Sequence, residues 1–332
     1  MQLVEAGHDL RARTALKALV EAEPGNATAA WLLSKSLIGL GDLEGALAQA
    51  ERSVALDGDN GAYHVQLGAV LGRMAEKASI FKQLGLARRT RKELEAGVAL
   101  DPKNLDGLFG LMMYYFAAPS FMGGDKAKAG ELADRIAAIY PARGFMARAA
   151  LAHEAKDSTA ELDFGLRAVA SDSENFDAWS ELTQYYLDRP KPDWGLIEKG
   201  ACRMLEIDPG RPDGWRALAG MHVASHCWTE LDEVLSASAA FAPEDLSPYY
   251  STAAAMVRDE ERPEAARGYL ERYLAQPPEG SEPSHAVARC QLATLLEKSG
   301  QADDAIAQLT RALEEDPGLE TAKKELKRLR GK

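Results

Sequence analysis

The chain has 332 residues, 46% of them hydrophobic but only 7% aromatic, and a net charge of −12. The acidic balance excludes general binding to nucleic acid, because neutralising phosphates takes an excess of Lys and Arg. Ala and Leu dominate, and no run of Val, Ile and Thr alternates with polar residues, so the expected class is all-α.

Taken from the start, Gln2 to Ala6 is a helix stub, Gly7 and His8 sit at a turn, and Ala12 to Pro24 is a full second helix. A helical array that opens on half a repeat leaves that helix uncovered. We therefore expect upstream residues to have been removed, as a processed export signal or at an expression boundary. A soluble protein is expected, periplasmic in the first case and cytoplasmic otherwise.

Helix-ending residues then recur at Pro24, Gly58, Pro102, Pro141, Ser173, Pro209, Pro243, Pro278 and Pro317. Their spacing wanders around 34 residues, a helix-turn-helix period. Twelve residues before most stops lies a small or aliphatic residue: Ala12, Ala46, Ala129, Ile197, Leu231, Ala266 and Ala305, with Thr90 and Glu161 at the two less regular places. The helix upstream carries an aromatic, then Leu, then a small residue, as in Trp179, Leu182, Thr183 and in Trp215, Leu218, Ala219. His64, Leu67 and Gly68 hold these places in the third repeat, and Tyr250, Ala253 and Ala254 in the eighth. Offsets of three and four put all three residues on one helical face, and the small one admits a neighbouring backbone.

Three repeats depart from this plan. The third has an insertion near 73–85, the fourth has extra residues near 118–124, and a looser loop, Pro277 to Ser284, precedes the ninth. A last helix over 319–330, with Lys323, Lys324, Lys327 and Arg328, suits a polar cap on the final apolar face.

Several stretches suggest chemistry. Gly123-Gly124-Asp125-Lys126 looks at first like a phosphate loop, but it lacks the longer Gly frame, the Ser or Thr after Lys, and a preceding strand. It reads instead as a turn with Asp125 capping the next helix, as Asp42 does after Gly41. His222, His226 and Cys227 have part of the spacing of a zinc site, yet no nearby third and fourth ligands present themselves, so no metal is expected. Cys202, Cys227 and Cys290 have no CxxC spacing and suit buried small hydrophobes. No HExxH or G-x-S-x-G occurs, so neither an enzyme nor a cofactor is expected. Arg88, Arg89, Arg91 and Lys92, with Arg73, Lys77 and Lys82 upstream, form a basic cluster that would dock an acidic partner or, more simply, make a solvated helix face. The apolar run 109–124 is too short to span a membrane and is broken by Pro119.

The repeat pattern resembles the tetratricopeptide repeat family over essentially the whole chain. It is clearest from Ala286 to Pro317, where Leu292, Ala293, Gly300, Ala305, Leu309, Ala312 and Pro317 fall on motif places, and nearly as clear from Ala27 to Gly58. The resemblance implies one right-handed α-α superhelix over 1–332, about nine helix-turn-helix repeats and a capping helix. It also implies a non-catalytic scaffold that binds a protein or peptide along the concave inner helices.

On the fourth inner helix the packing stripe is Leu108, Leu111, Met112 and Tyr115, yet the adjacent stripe, Phe109, Met113 and Phe116, is apolar too. The matching places elsewhere are Trp31, Lys35 and Ile38, then Val65, then Met146, before the stripe turns polar at Ser180, Gln184 and Asp188. These eight residues, from Trp31 to Met146, are the candidate groove, filled by a partner helix or by the inserted segments folding back. The chaperone-carboxylate clamp of some tetratricopeptide domains is not carried over, since Trp31, Lys35, Gln66, Asp106 and Gly110 hold its places. As an alternative, the fourth repeat resembles that of periplasmic proteins such as the T-component family of TRAP transporters, which implies a small ligand or a coupled solute receptor.

Overall fold

The computed structural model describes residues 1–280 and 283–331. Within them the chain forms nineteen α-helices, one short 3-10 turn and no strand. It divides into two compact units, Met1–Tyr185 and Tyr186–Lys332.

In the N-terminal unit the helices pair in sequence. The first repeat is α1 (Gln2–Glu5) with α2 (Asp9–Ala22), and the second is α3 (Ala27–Gly39) with α4 (Leu43–Leu56). The third is α5 (Gly61–Lys77) with α6 (Ile80–Leu100), and the fourth is α7 (Leu105–Ala117) with α8 (Lys126–Ile139). The fifth is α9 (Pro141–Glu154) with α10 (Ser158–Ser171). Helix α11 (Phe176–Leu187) carries the boundary between the units.

The C-terminal unit continues the same alternation. Helices α12 (Trp194–Ile207), α13 (Pro212–Ala224) and α14 (Trp228–Phe241) are followed by α15 (Ser247–Asp259) and α16 (Pro263–Leu274). The ninth pair is α17 (His285–Lys298) and α18 (Ala302–Glu315), and α19 (Glu320–Arg330) closes the chain. The loop expected over Pro277 to Ser284 includes Ser281 and Glu282, which lie outside the described residues.

Five of the turns inside the pairs share one device. Gly7, Gly41, Lys156, His226 and Gly300 all have φ between 55° and 77°. Each donates its N–H three residues back, and the next residue donates five back, as Gly41 to Ile38 and Asp42 to Leu37 (both 2.9 Å). This closure satisfies carbonyls that the helix end leaves free, and it needs a left-handed residue. The following residue starts the next helix: Asp42 accepts from the Gly45 N–H at 2.9 Å, and Asp157 from Ala160 at 3.0 Å.

In two repeats the aromatic of the inner helix ties the repeat to the stop before it. The Trp179 indole donates to the Ser173 carbonyl at 2.9 Å, and that of Trp215 to the Pro209 carbonyl at 2.8 Å. The place twelve residues before the stop is fully buried at Ala46, Ala129, Ile197, Leu231, Ala266 and Ala305. At Gly68 an added Cβ would sit 2.8 Å from the Leu94 side chain, so the small residue is needed there to pack α5 on α6.

Two apolar clusters fill the N-terminal unit, one around Leu16, Leu33, Leu37 and Leu71, the other around Leu94, Leu108, Met112 and Ile136. One cluster runs through the C-terminal unit from Ala219 to Leu329. Helix α19 lays Ala322, Leu326 and Leu329 on it and turns its charges outward, where Arg328 pairs with Glu297 and Glu325. Burying each of those leucines contributes about 1.5–3 kcal/mol.

The insertion expected near 73–85 is helix, not loop. Arg73–Lys77 prolongs α5 and 80–85 opens α6, so the two helices meet at a two-residue turn, Ala78 and Ser79. No Pro or left-handed residue interrupts the stretch, which lets both helices run on. Helix α5 has 17 residues against 13 in α3 and α7, and α6 has 21 against 14 in α4 and α8. At 1.5 Å per residue this hairpin is longer than its neighbours by about 6 and 10 Å.

Candidate functional site

Inside the N-terminal unit the elongated hairpin and α7 enclose a cavity of about 1140 Å³. Helix α3 contributes Trp31, Lys35 and Ile38, and α5 contributes Val65, Ala69 and Gly72. Helix α7 gives Phe109, Gly110, Met113 and Tyr114. From α6 come Gln83, Leu84, Ala87, Thr90 and Leu94, whose spacing of three and four marks one helical face.

Of the residues singled out in the sequence, Trp31, Lys35, Ile38, Val65, Phe109 and Met113 thus lie on one cavity. Phe116 and Met146 do not. Phe116 packs beside the second core cluster under Lys126, whose Nζ lies 4.8 Å from the ring centre. Met146 is buried in α9, 5% exposed.

The inserted segments line the cavity. Ala118, Pro119, Phe121 and Met122 border it from the turn after α7, while Arg73, Glu76, Gln83 and Leu84 border it from the hairpin. That turn is tightly held. The Tyr114 hydroxyl donates to the Met122 carbonyl at 2.8 Å, Gly123 is left-handed at φ 93°, and the Asp125 N–H donates to the Tyr115 carbonyl at 2.8 Å. Asp125 itself accepts from the N–H groups of Ala127 and Lys128 and caps α8. The four residues that suggested a phosphate loop are therefore a helix stop and a cap.

Polar groups at the cavity are few and mostly engaged. The Gln66 amide donates to Ser34 Oγ at 3.0 Å, and Ser34 Oγ donates to the Ala46 carbonyl at 2.9 Å, a buried chain across α3, α4 and α5. Trp31 stands 6.0 Å from Tyr63 between ring centres, and Lys35 Nζ lies 4.9 Å over the Trp31 ring. Asp106 pairs with Arg143 at 3.0 Å, and Glu76 with Arg73 at 3.7 Å. Burial pushes the Tyr114 phenol above its ordinary pKa, against the opposing pull of the nearby Arg91 and Arg88.

The other chemical candidates dissolve. His226 is the left-handed turn residue of its repeat, edge-on to Trp228 with ring centres 5.4 Å apart, and its Nδ1 lies 3.8 Å from Glu261. No group of three or more His, Cys, Asp or Glu suited to a metal occurs among the described residues. The three cysteines are free thiols; none is buried as expected, Cys202 being exposed and Cys227 and Cys290 half-buried. No helix among the described residues is long and apolar enough to cross a membrane.

Sequence reasoning named the insertion near 73–85 as a possible cover of the groove but not the residues by which it lines the cavity. Its helical face of Gln83, Leu84, Ala87 and Thr90 is legible only once α6 is known to start at Ile80.

Comparison with known proteins agrees with this architecture. Residues 3–61 and 257–330 each match a tetratricopeptide repeat family profile. No curated protein matches the chain in sequence. Among solved structures, yeast Tom70 is similar over 98% of this chain and 79% of its own, at 15% identity and TM-score 0.52. A tetratricopeptide repeat protein from Parabacteroides merdae covers 95% of this chain and 99% of its own, at 14% identity and TM-score 0.46. Cut9 in the APC/C hetero-tetramer Cut9-Hcn1 covers 96% and 58%, at 13% identity and TM-score 0.47. The periplasmic transporter alternative is not supported by these matches. Both ends of the chain are thus similar to tetratricopeptide repeats, and the paired helices between them carry the same recurrent turn and packing places, so the fold is a helical-repeat solenoid of that type.

Proposed function

We propose that the cavity of the N-terminal unit receives a helical segment of a partner protein, so that the chain acts by binding and not by catalysis. The tetratricopeptide repeat fold is in general a protein-interaction scaffold. The observation that carries the finer reading is the convergence of Trp31, Ile38, Val65, Phe109 and Met113 on one cavity. The packing of the repeat does not require an apolar side chain at the exposed Phe109, because α7 already buries Leu108, Leu111 and Met112 on its other stripe, with Met113 packed beside them. Aromatic and Met side chains give large, adaptable contact area, which suits a partner helix. A helix is 10–12 Å across, so about 1140 Å³ accommodates about two of its turns.

The test is a pull-down from the source cell's extract with the wild type and the Phe109→Asp, Met113→Asp variant. A partner retained by the first and lost by the second is expected. Equal retention by a folded variant sinks the groove reading.

A further inference from the structure

We propose that the tip of the hairpin formed by α5 and α6 is a peripheral docking site for an anionic lipid bilayer, on a surface separate from the cavity. Repeat register sets the geometry. Helices α3, α5 and α7 each begin three residues after a stop, Pro24, Gly58 and Pro102, and α4 and α6 each end two residues before one, Gly58 and Pro102. The bases of these hairpins are therefore level. The additional length of α5 and α6, about 6 and 10 Å, projects at the tip, around Ala78 and Ser79.

Positive charge is concentrated on this projection. Residues 73–92 hold Arg73, Lys77, Lys82, Arg88, Arg89, Arg91 and Lys92 against the single acid Glu76, in a chain whose net charge is −12. Arg73 faces Glu76 at 3.7 Å, Arg89 faces Glu51 at 2.8 Å, and Arg91 faces Glu95 at 3.5 Å. Lys77 and Lys82 flank the tip, with Arg88 and Lys92 farther along α6. All four are exposed and have no ion-pair partner among the described residues. The acids of the neighbouring turns, Asp42 and Asp125, do not cancel this patch. Solvent-exposed charges are screened over about 8 Å at physiological salt, and the projection carries the tip about that far beyond those turns.

An aromatic completes the tip. Phe81, in the first turn of α6, is 93% exposed, the highest value among the large hydrophobics described. At about 100° per residue it shares one stripe of α6 with Arg88 and Lys92. That stripe lies opposite Gln83, Ala87, Thr90 and Leu94, which line the cavity. Gly85 falls on the same stripe and has nothing within 4 Å of an added Cβ, so this side of the helix is open. A solvated helix face accounts for the cations, but it gives no reason for a bare aromatic near the most protruding point of the chain's longest hairpin. An anionic interface accounts for both. The ring enters the boundary between headgroups and acyl chains, while the lysine stems hold their ammonium groups at the phosphates. A convex tip offers a peptide or folded partner no cleft to enter, whereas a bilayer yields around it. With one aromatic and few cations the attachment is weak and reversible.

Co-sedimentation of the full chain with vesicles tests this. Equimolar phosphatidylglycerol and phosphatidylcholine vesicles should bind it at least about tenfold more tightly than pure phosphatidylcholine, with the difference closing at high salt. Phe81→Ser and the double variant Lys77→Gln, Lys82→Gln should each weaken that binding about tenfold. The same loss of charge made in α19, by Lys323→Gln with Lys324→Gln, should leave it unchanged. Phe81→Trp adds a reading that does not depend on affinity, because lipids brominated in the upper acyl chain should quench its fluorescence beyond that of the wild type. Equal binding to anionic and neutral vesicles overturns the proposal, as does full binding by both tip variants. An equal loss in the α19 variant overturns it too, since net charge and not the tip would then govern binding. Tip-dependent binding of heparin with none to vesicles also overturns it and assigns the lysines to a soluble polyanion.

Discussion

Gly61 and Gly97 face each other where α5 crosses α6. A Cβ built on Gly61 would lie 2.6 Å from the Gly97 carbonyl oxygen, and one on Gly97 would lie 2.8 Å from the Gly61 carbonyl oxygen. The two backbones meet without side chains between them, and this contact seats the hairpin that borders the cavity. Gly inside a helix ordinarily costs about 0.5–1 kcal/mol relative to Ala, so Gly97→Ala would stabilise an isolated helix. Here overpacking opposes it at about 1–3 kcal/mol, and the net effect should be destabilising. Gly130 in α8 supplies the control, because nothing lies within 4 Å of its added Cβ. Urea midpoints should fall for Gly97→Ala and rise for Gly130→Ala; a rise for both would show that the helices are not held at this distance.

The shared turn makes a second prediction. Lys156 and His226 occupy with φ of 60° and 55° the place that Gly41 and Gly300 hold with 74° and 77°. A side chain costs about 1–2 kcal/mol in this region, which outweighs the extra chain entropy of Gly. Lys156→Gly should stabilise by about 0.5–1 kcal/mol, and Gly300→Ala should destabilise by a similar amount. Thermal unfolding of the two variants decides it, and stabilisation by Gly300→Ala would refute the turn assignment.

Much of this fold was legible because the repeat writes its rules in residue types of limited use. The stops Pro24, Gly58, Pro102, Pro141, Ser173, Pro209, Pro243 and Pro317 each fall two residues past a helix end. Asp42 and Asp125 cap because a short acid after a turn has a helix N-terminus to satisfy. The candidate groove was legible in part, from a second apolar stripe of which Phe109 and Met113 line the cavity while Phe116 packs beside the core. What failed was length. Counting against a fixed period made 73–85 an insertion between helices, whereas helix-forming residues with no stop among them extended both. Phe81 and Phe121 drew no notice, because exposure depends on what stands opposite and not on the residue. Met146 followed the stripe rule and is nonetheless buried. Gly144 lacks the Cβ that would collide with Ala137, and so α9 lies close on α8.

Adjacent positions on α7 should separate binding from stability. Met112 is fully buried and Phe109 is 37% exposed. A carboxylate at Met112 is left in an apolar core without a partner, a desolvation cost of several kcal/mol that unfolds a marginal repeat array. At Phe109 the carboxylate reaches solvent through the cavity, so the loss should stay within about 1 kcal/mol. Circular dichroism melts of Phe109→Asp and Met112→Asp measure both. Equal loss of helix in the two would mean that Phe109 belongs to the core and that its cavity position has no separate use.

The thiols provide a chemical check on burial in the C-terminal unit. Burial pushes the Cys290 thiol up to about 11, with the carboxylate of Glu325 adding to the shift. Only the thiolate is alkylated, and at pH 8 a thiol of that pKa is ionised to about one part in a thousand. The Cys202 thiol is also raised, first by burial and then by Glu198 and Glu206, but the residue is exposed and open to reagent. Because a raised pKa withholds the thiolate until the pH approaches it, alkylation of Cys290 should climb steadily from pH 8 toward pH 11. Iodoacetamide labelling followed by peptide mass analysis should therefore modify Cys202 well before Cys290 at pH 8, with the gap narrowing as pH rises. Labelling of Cys290 as fast as Cys202 at pH 8 in the folded chain would mean that α17 is not packed as described.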